Sequence, residues 1–377
     1  MSALSGVIVA DFSRVLAGPL AAMTLADLGA NVIKVEPPAG DETRGWLPPV
    51  DDRGRSTYFQ TANRNKRSIA LDLKDEDDRE LAFELAMRAD VLIENFRPGT
   101  MARFGLDWEA VQAAHPALVY CTITGFGEGP GAAMPGYDPL IQALSGMMSI
   151  TGPPEGEASK VGVALVDVIA GLNAATGILA ALVDRDHRRE GQRVEVNLLS
   201  TALAALANQS SAFVNTGRSP TRLGNVHPSI EPFATFATAN GPIMICAGND
   251  RQFRQLAVTI GAPGLADDPR FASNLDRVEH REALRAELEQ RLGLDNVEYW
   301  AEALNEAGVP AGPVNDIGAG FALAESLELD PVTEIEGTRT TTSPIRLSHS
   351  PAERRLPPPD LDAHGDEIRD WLRAPRD

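Results

Sequence analysis

Asp167 is a lone carboxylate inside VGVALVDVIAGLNAATGILAAL (161 to 182), where nearly every neighbour is apolar or small. Burying an unpaired carboxylate is costly, so this Asp is either satisfied by backbone donors or kept for chemistry. Two roles are open. One is a helix cap: LVD ends a strand-like run, VIAGLNAATGILAALV reads as a helix, and Asp is favoured at such a junction. The other is covalent catalysis by a carboxylate that the N–H groups of the helix start hold ionised. The two roles are compatible.

Other reactive residue types form fewer patterns. GYDPL places Tyr137 beside Asp138, a carboxylate able to orient Tyr137 or a backbone amide, or to cap the turn before Pro139. His115, His187, His227, His280, His349 and His364 are scattered, with no HxH, HExxH or CxxC spacing, so no metal site is expected. Cys121 and Cys246 give no disulfide framework, and neither has an evident His or basic partner to make it a nucleophile.

The elements that must position these residues alternate between strand and helix. GVIVADF (6 to 12), NVIKVE (31 to 36), ADVLIENF (89 to 96), PALVYCTITGF (116 to 126) and RVEVNLL (193 to 199) read as strands; GPLAAMTLADLG (18 to 29) and DRELAFELAMRA (78 to 89) read as helices. This order predicts an α/β fold, a Rossmann-like large domain with a mostly parallel sheet. The large domain is expected over 1–200, a turn-rich linker over 201–230, and a smaller α+β domain over 231–324. A dinucleotide site is excluded, because RVLAGPL offers Gly18 followed by Pro19 where the fingerprint needs GxGxxG.

Composition narrows the class further. The 377 residues carry 34 Lys+Arg against 53 Asp+Glu, a net charge of −19, which repels nucleic-acid phosphates and anionic membranes. The apolar stretch 161 to 183 contains Asp167 and Asn173 and is expected to be an interior helix and not a membrane span. MSALSGVIVADF has no basic n-region or cleavage site, and a cytoplasmic location is expected. Inside this acidic chain lies a basic island: Arg44, Arg53, Arg55, Arg64, Lys66 and Arg67 against Asp51 and Asp52, a local balance of +4. It reads either as a solvated charged loop or as a phosphate-binding surface.

The flanking strings, in order, are VIVADFSRVLAGPLAAMTLADLGANVIKVEPPAGDETRGW, NRNKRSIALDLK, ADVLIENFRPGTM, GYDPLIQALSG, the Asp167 segment, GNVHPSIEPF and AGVPAGPVNDI. Together they resemble the class III CoA-transferases, the CaiB/BaiF type that includes formyl-CoA transferase, carnitine CoA-transferase and the α-methylacyl-CoA racemases. The resemblance runs nearly end to end. It implies an aspartate nucleophile at Asp167, with coenzyme A, as an acyl-CoA thioester, and a small carboxylic acid as substrates. CoA transfer would pass through an acyl-aspartyl anhydride and an aspartyl-CoA thioester.

The resemblance also assigns the CoA site: Leu16 and Ala17 after the first strand, Leu71 and Lys74, then Asn95, Phe96, Arg97 and Arg103. Phe96 would pack on adenine or pantetheine, with Lys74, Arg97 and Arg103 facing phosphates; ordinary core packing is the alternative for Leu71 and Phe96. Pro37 stands where formyl-CoA transferases have Arg, which removes or moves a phosphate contact. Racemases carry His thirty residues before the Asp, where this chain has Tyr137, and a phenol of pKa about 10 is a poor base at neutral pH. A transferase is therefore expected, with 2-methylacyl-CoA racemase as the alternative. Leu16 in place of the Gln of oxalate-type members argues against oxalate, whereas Arg222, Asn225 and His227 are candidates for holding the second carboxylate of a dicarboxylic acid. The resemblance further implies an interlocked homodimer, with the tail 325–377 returning to the first domain.

Overall fold

The computed structural model describes residues 2–352 and 354–376. Its central sheet runs β1 (Ile8–Asp11), β2 (Asn31–Glu36), β3 (Lys66–Ala70), β4 (Val91–Glu94), β5 (Val119–Thr124) and β6 (Arg193–Asn197). The spatial order is β3-β2-β1-β4-β5-β6, and every adjacent pair is parallel. This is the Rossmann-like α/β arrangement that the alternating elements predict.

Both faces of the sheet are covered, as parallel sheets require. Side chains alternate along each strand. Val9, Val32, Val91 and Ile93 enter one core with the helices Ala17–Asp27 and Leu165–Arg188, while Ala10, Ile33 and Leu92 enter the other. That second core also takes Leu85 of the helix Glu76–Arg88 and Ile368 and Leu372 of the C-terminal helix Gly365–Arg373. The tail therefore packs on the sheet begun by the N-terminus.

Gly171 explains how closely the two helices of the first core approach. A Cβ there would lie 2.6 Å from the Ala17 carbonyl oxygen, so only glycine lets the Leu165–Arg188 helix lie against the start of the Ala17–Asp27 helix. Asp167, one turn before Gly171, is thereby brought next to the loop after β1. The Leu165–Arg188 helix is one-sided and not wholly interior: Ala170, Ala174 and Ile178 are buried, but Leu172 is 48% and Val183 62% exposed.

Packing divides the chain into two compact units, residues 1–148, 160–219 and 330–377 in one, and 149–159 with 220–329 in the other. Helices Leu198–Ala205 and Asn208–Thr216 occupy the first part of the stretch expected as a linker. The second unit holds an antiparallel sheet of β7 (Phe233–Ala237), β8 (Pro242–Cys246) and β9 (Ala311–Pro313), with helices packed around Phe236, Ile243, Phe253 and Leu288.

Candidate active site

The chain leaving β1 turns sharply into the Ala17–Asp27 helix, and the loops leaving β4 and β5 rise beside it. Between them is a cavity lined by Leu16, Ala17, Asn95, Phe96, Arg97, Tyr137 and Asp167. It lies at the carboxyl ends of the strands where the strand order reverses, the place where open α/β sheets bind ligands. A second cavity, after β1, β2 and β3, is lined by Leu71, Lys74 and Pro37. Arg14, Glu42 and Phe96 line both, so the two form one crevice along the sheet edge. Arg103, on the short turn Met101–Phe104, is exposed and is not among the residues lining either cavity.

The start of the Asp167 helix is capped from elsewhere. Asp167 is the third residue of the helix, and the carboxylate that caps it belongs to Asp138. Buried Asp138 accepts the N–H groups of Val166 (2.7 Å) and Asp167 (3.1 Å) on Oδ2, and the Gln142 amide (2.6 Å) on Oδ1. The amides expected to serve Asp167 are thus engaged by its neighbour, and the Asp167 carboxylate accepts no hydrogen bond from another described residue. Burial, and after it the Asp138 charge, push Asp167 up to about 7. The expectation of a firmly ionised carboxylate is corrected: near neutral pH the group is shared between its two forms.

Tyr137, half exposed, precedes the helix Asp138–Leu144 that delivers Asp138. Gly125 and Gly136 pack backbone to backbone behind it. A Cβ on Gly136 would lie 2.6 Å from the Gly125 Cα, which fixes the β5 exit against the Tyr137 loop. Both thiols are pushed up by burial, and Cys121 is wholly enclosed, so a cysteine nucleophile is not supported.

Sequence reasoning missed Tyr58. It packs edge-on against Trp46, with centroids 4.8 Å apart, and burial followed by the charges of Asp167, Asp138 and Asp41 raises its phenol above the ordinary value. It is therefore a neutral O–H donor within electrostatic reach of Asp167. No local pattern marks it, because its relation to Asp167 is made only by the fold.

The basic island is structural. Arg44 makes a bidentate pair with Glu36 (2.8 and 2.7 Å), Arg64 with Asp27, and Lys66 bonds Asp11 at 2.8 Å. Arg55 pairs with Asp51, Arg67 with Glu367, and Arg53 donates to the Glu336 carbonyl. Carboxylates, and for Arg53 a backbone carbonyl, engage all six cations within the fold, so the phosphate-binding reading of this island is withdrawn. Glu36, held by Arg44, the Ser68 hydroxyl (2.8 Å) and the Asp41 amide (3.0 Å), is likewise engaged. In the second unit, Arg222 donates to the carbonyls of Pro153 and Gly156, Asn225 to Thr235, and His227 Nδ1 accepts the Ser229 amide.

The profile of CoA-transferase family III matches residues 4–365. The succinate–glutarate CoA-transferase of Agrobacterium fabrum is 41% identical, covering 97% of this chain and 94% of its own. The acetyl-CoA:oxalate CoA-transferase of Acetobacter aceti is 40% identical, covering 98% and 96%. A CAIB/BAIF family protein from Brucella suis, solved by crystallography, superposes with a TM-score of 0.89 at 41% identity, over 98% of this chain and 99% of that one. The chain belongs to CoA-transferase family III, and the protein is a CoA-transferase.

Proposed function

We propose that the protein moves CoA from an acyl-CoA thioester to a dicarboxylic acid through covalent intermediates on Asp167. The observation that carries this reading is Asp167 itself, a carboxylate at the wall of the cavity with no hydrogen-bond donor of its own among the described residues. Ionised, it attacks the acyl-CoA carbonyl, forming a mixed anhydride and releasing CoA thiolate. The thiolate then attacks the Asp167 carbonyl, releasing the donor acid and leaving an aspartyl-CoA thioester. The acceptor carboxylate displaces CoA to form a second anhydride, and the thiolate takes the new acyl group, regenerating Asp167. Atoms and charge balance at each step.

In this reading CoA lies along the crevice, with Leu71, Lys74 and Phe96 toward the nucleotide end and Leu16, Ala17 and Asn95 toward Asp167. Exposed Arg97, on the wall of the Asp167 cavity, offers a charge to phosphate. Arg103, away from both cavity walls, is the weakest member of the expected set. The dicarboxylic acceptor is supported by the names of the two relatives at 41% and 40% identity, which act on succinate with glutarate and on oxalate. Tyr137 in place of a histidine base supports transfer over racemisation.

We further infer a homodimer. The helix Asn208–Thr216 has no buried residue, and Phe213 and Val214 on it are 50% and 79% exposed, an apolar surface that a second copy would cover. The deciding experiment is a panel of acyl-CoA donors against mono- and dicarboxylic acids, read by mass spectrometry of the acyl-CoA products. Transfer to dicarboxylic acids is expected; activity with monocarboxylic acids alone would overturn the substrate class. Sedimentation showing a stable, active monomer would overturn the dimer.

A further inference from the structure

The loop from β1 to the Ala17–Asp27 helix is built in an unusual way. Val15 has φ +68°, a left-handed conformation that is a genuine outlier for a β-branched residue. Such a conformation persists only where its surroundings over-determine it. Here five consecutive backbone polar groups are each taken by a side chain. Ser13 N–H donates to Asp11 (3.1 Å), and the Ser13 carbonyl accepts from Lys34 Nζ (3.0 Å). Arg14 N–H donates to Asn95 Oδ1 (2.9 Å), and its carbonyl accepts from Asn95 Nδ2 (2.7 Å). Val15 N–H donates to Asp41 Oδ2 (3.3 Å).

Lys34 and Asp41 close this cage. Their ammonium and carboxylate are 3.0 Å apart, Lys34 is completely enclosed within the sheet, and Asp41 is 4% exposed. Thr43 N–H and Oγ complete the carboxylate at 3.0 and 2.7 Å. A buried ion pair is weak evidence for stability, since well-packed apolar residues often do as well, so its retention beside a strained loop calls for a positional reason. The residues that follow Val15 are Leu16 and Ala17, at the wall that faces Asp167.

We propose that Lys34 and Asp41 are positioning residues for the transfer reaction: as a pair they clamp Ser13 and Val15, hold Val15 in its left-handed conformation, and so set Leu16 and Ala17 against the acyl group presented to Asp167. The proposal rests on the transfer reading above. Burial opposes both charges, yet Asp41 is held below its ordinary value by Lys34 and the Thr43 hydrogen bonds, and Lys34 above its own by Asp11, Asp41 and Glu36, so the pair is ionised at neutral pH.

The test is the double substitution Lys34→Met with Asp41→Asn, which removes both charges together and leaves no uncompensated buried ion. Folding is followed by circular dichroism, transfer by steady-state kinetics, and the loop by hydrogen exchange of the peptide covering residues 13–18. In a folded variant, kcat is expected to fall at least about tenfold with the acyl-CoA KM changed less than about threefold, and exchange in that peptide alone to accelerate. Adding Val15→Asn, which adopts left-handed backbone at lower cost, should recover most of the lost kcat. Wild-type kcat and exchange in the folded double variant, or a loss that Val15→Asn does not reverse, would overturn the clamp. If the double variant does not fold, Val15→Asn alone decides: a raised Tm supports a strained Val15, and a lowered Tm refutes it. Exchange is read without substrate, so a wild-type enzyme that transfers nothing defeats the transfer reading and leaves the loop result standing.

Discussion

Asp138 accepts the backbone N–H of Asp167 at 3.1 Å, so two carboxylates meet at one helix start with opposite duties. Asp138 is buried and satisfied by two amides and Gln142; Asp167 lines the cavity. The arrangement spends the positive end of the helix dipole on Asp138 and leaves Asp167 facing both apolar burial and a like charge. A carboxylate in that position is more basic and more nucleophilic once ionised than one at the surface.

A pH dependence follows. Asp167 is pushed up to about 7, and only the anion attacks, so kcat/KM for the acyl-CoA donor should fall about tenfold per unit below that point and level off above it. Asp138→Asn keeps an oxygen for the amides and removes the like charge, so the limb should move to lower pH. A profile flat from about pH 5 to 8 would rule out titration of this nucleophile. Stability runs the other way. A folded-state value raised above the unfolded value of about 3.9 contributes stability that is full below pH about 4 and lost as pH rises to about 7. The Tm of Asp167→Asn relative to wild type should therefore rise across that window and stay level above it.

The nucleophile itself is tested by the same Asn variant. Transfer should fall by several orders of magnitude while CoA binding, measured calorimetrically, stays near wild type. Wild-type protein mixed with acyl-CoA and then hydroxylamine should carry a hydroxamate on the peptide containing Asp167 and lose activity. A hydroxamate on another peptide would identify a different nucleophile.

The layer structure was legible because each strand carries its own signal: VIVAD, NVIKVE and VLIEN are short β-branched runs, and their period of two divides Val9 from Ala10 and Val32 from Ile33 into opposite cores. Asp167 was legible because a charge among small apolar residues stands out in any reading. Its cap was not, because Asp138 reaches it across 29 residues of chain, and local preference assigns a cap to the nearest acceptor. The basic island misled for the same reason: Arg64 meets Asp27 across 37 residues and Arg67 meets Glu367 across 300, pairings that no window of sequence displays.

Arg44 separates a structural island from a phosphate site. Its guanidinium neutralises Glu36, which is 1% exposed, and lies 3.8 Å from the Phe59 ring centroid. Arg44→Met would leave that carboxylate buried and unpaired, at a cost of about 3–5 kcal/mol. A marked drop in Tm with little change in the KM for CoA thioesters of wild-type-like folded protein is expected. A raised KM at unchanged Tm would restore the phosphate role.

Tyr137 distinguishes transfer from racemisation. It is half exposed at the cavity with Asp167, and a tyrosine side chain is a poorer general base for an α-proton than a histidine. Incubation of a 2-methylacyl-CoA with the enzyme in D₂O should give no α-deuterium at a rate comparable to CoA transfer, read by mass spectrometry. Tyr137→Phe removes one hydrogen-bonding group and no nucleophile, so transfer should fall by about tenfold or less, the worth of about 0.5–1.5 kcal/mol. Rapid deuterium incorporation by the wild-type enzyme would reverse the assignment and make proton transfer, with Asp167 as one of its bases, the reaction of this site.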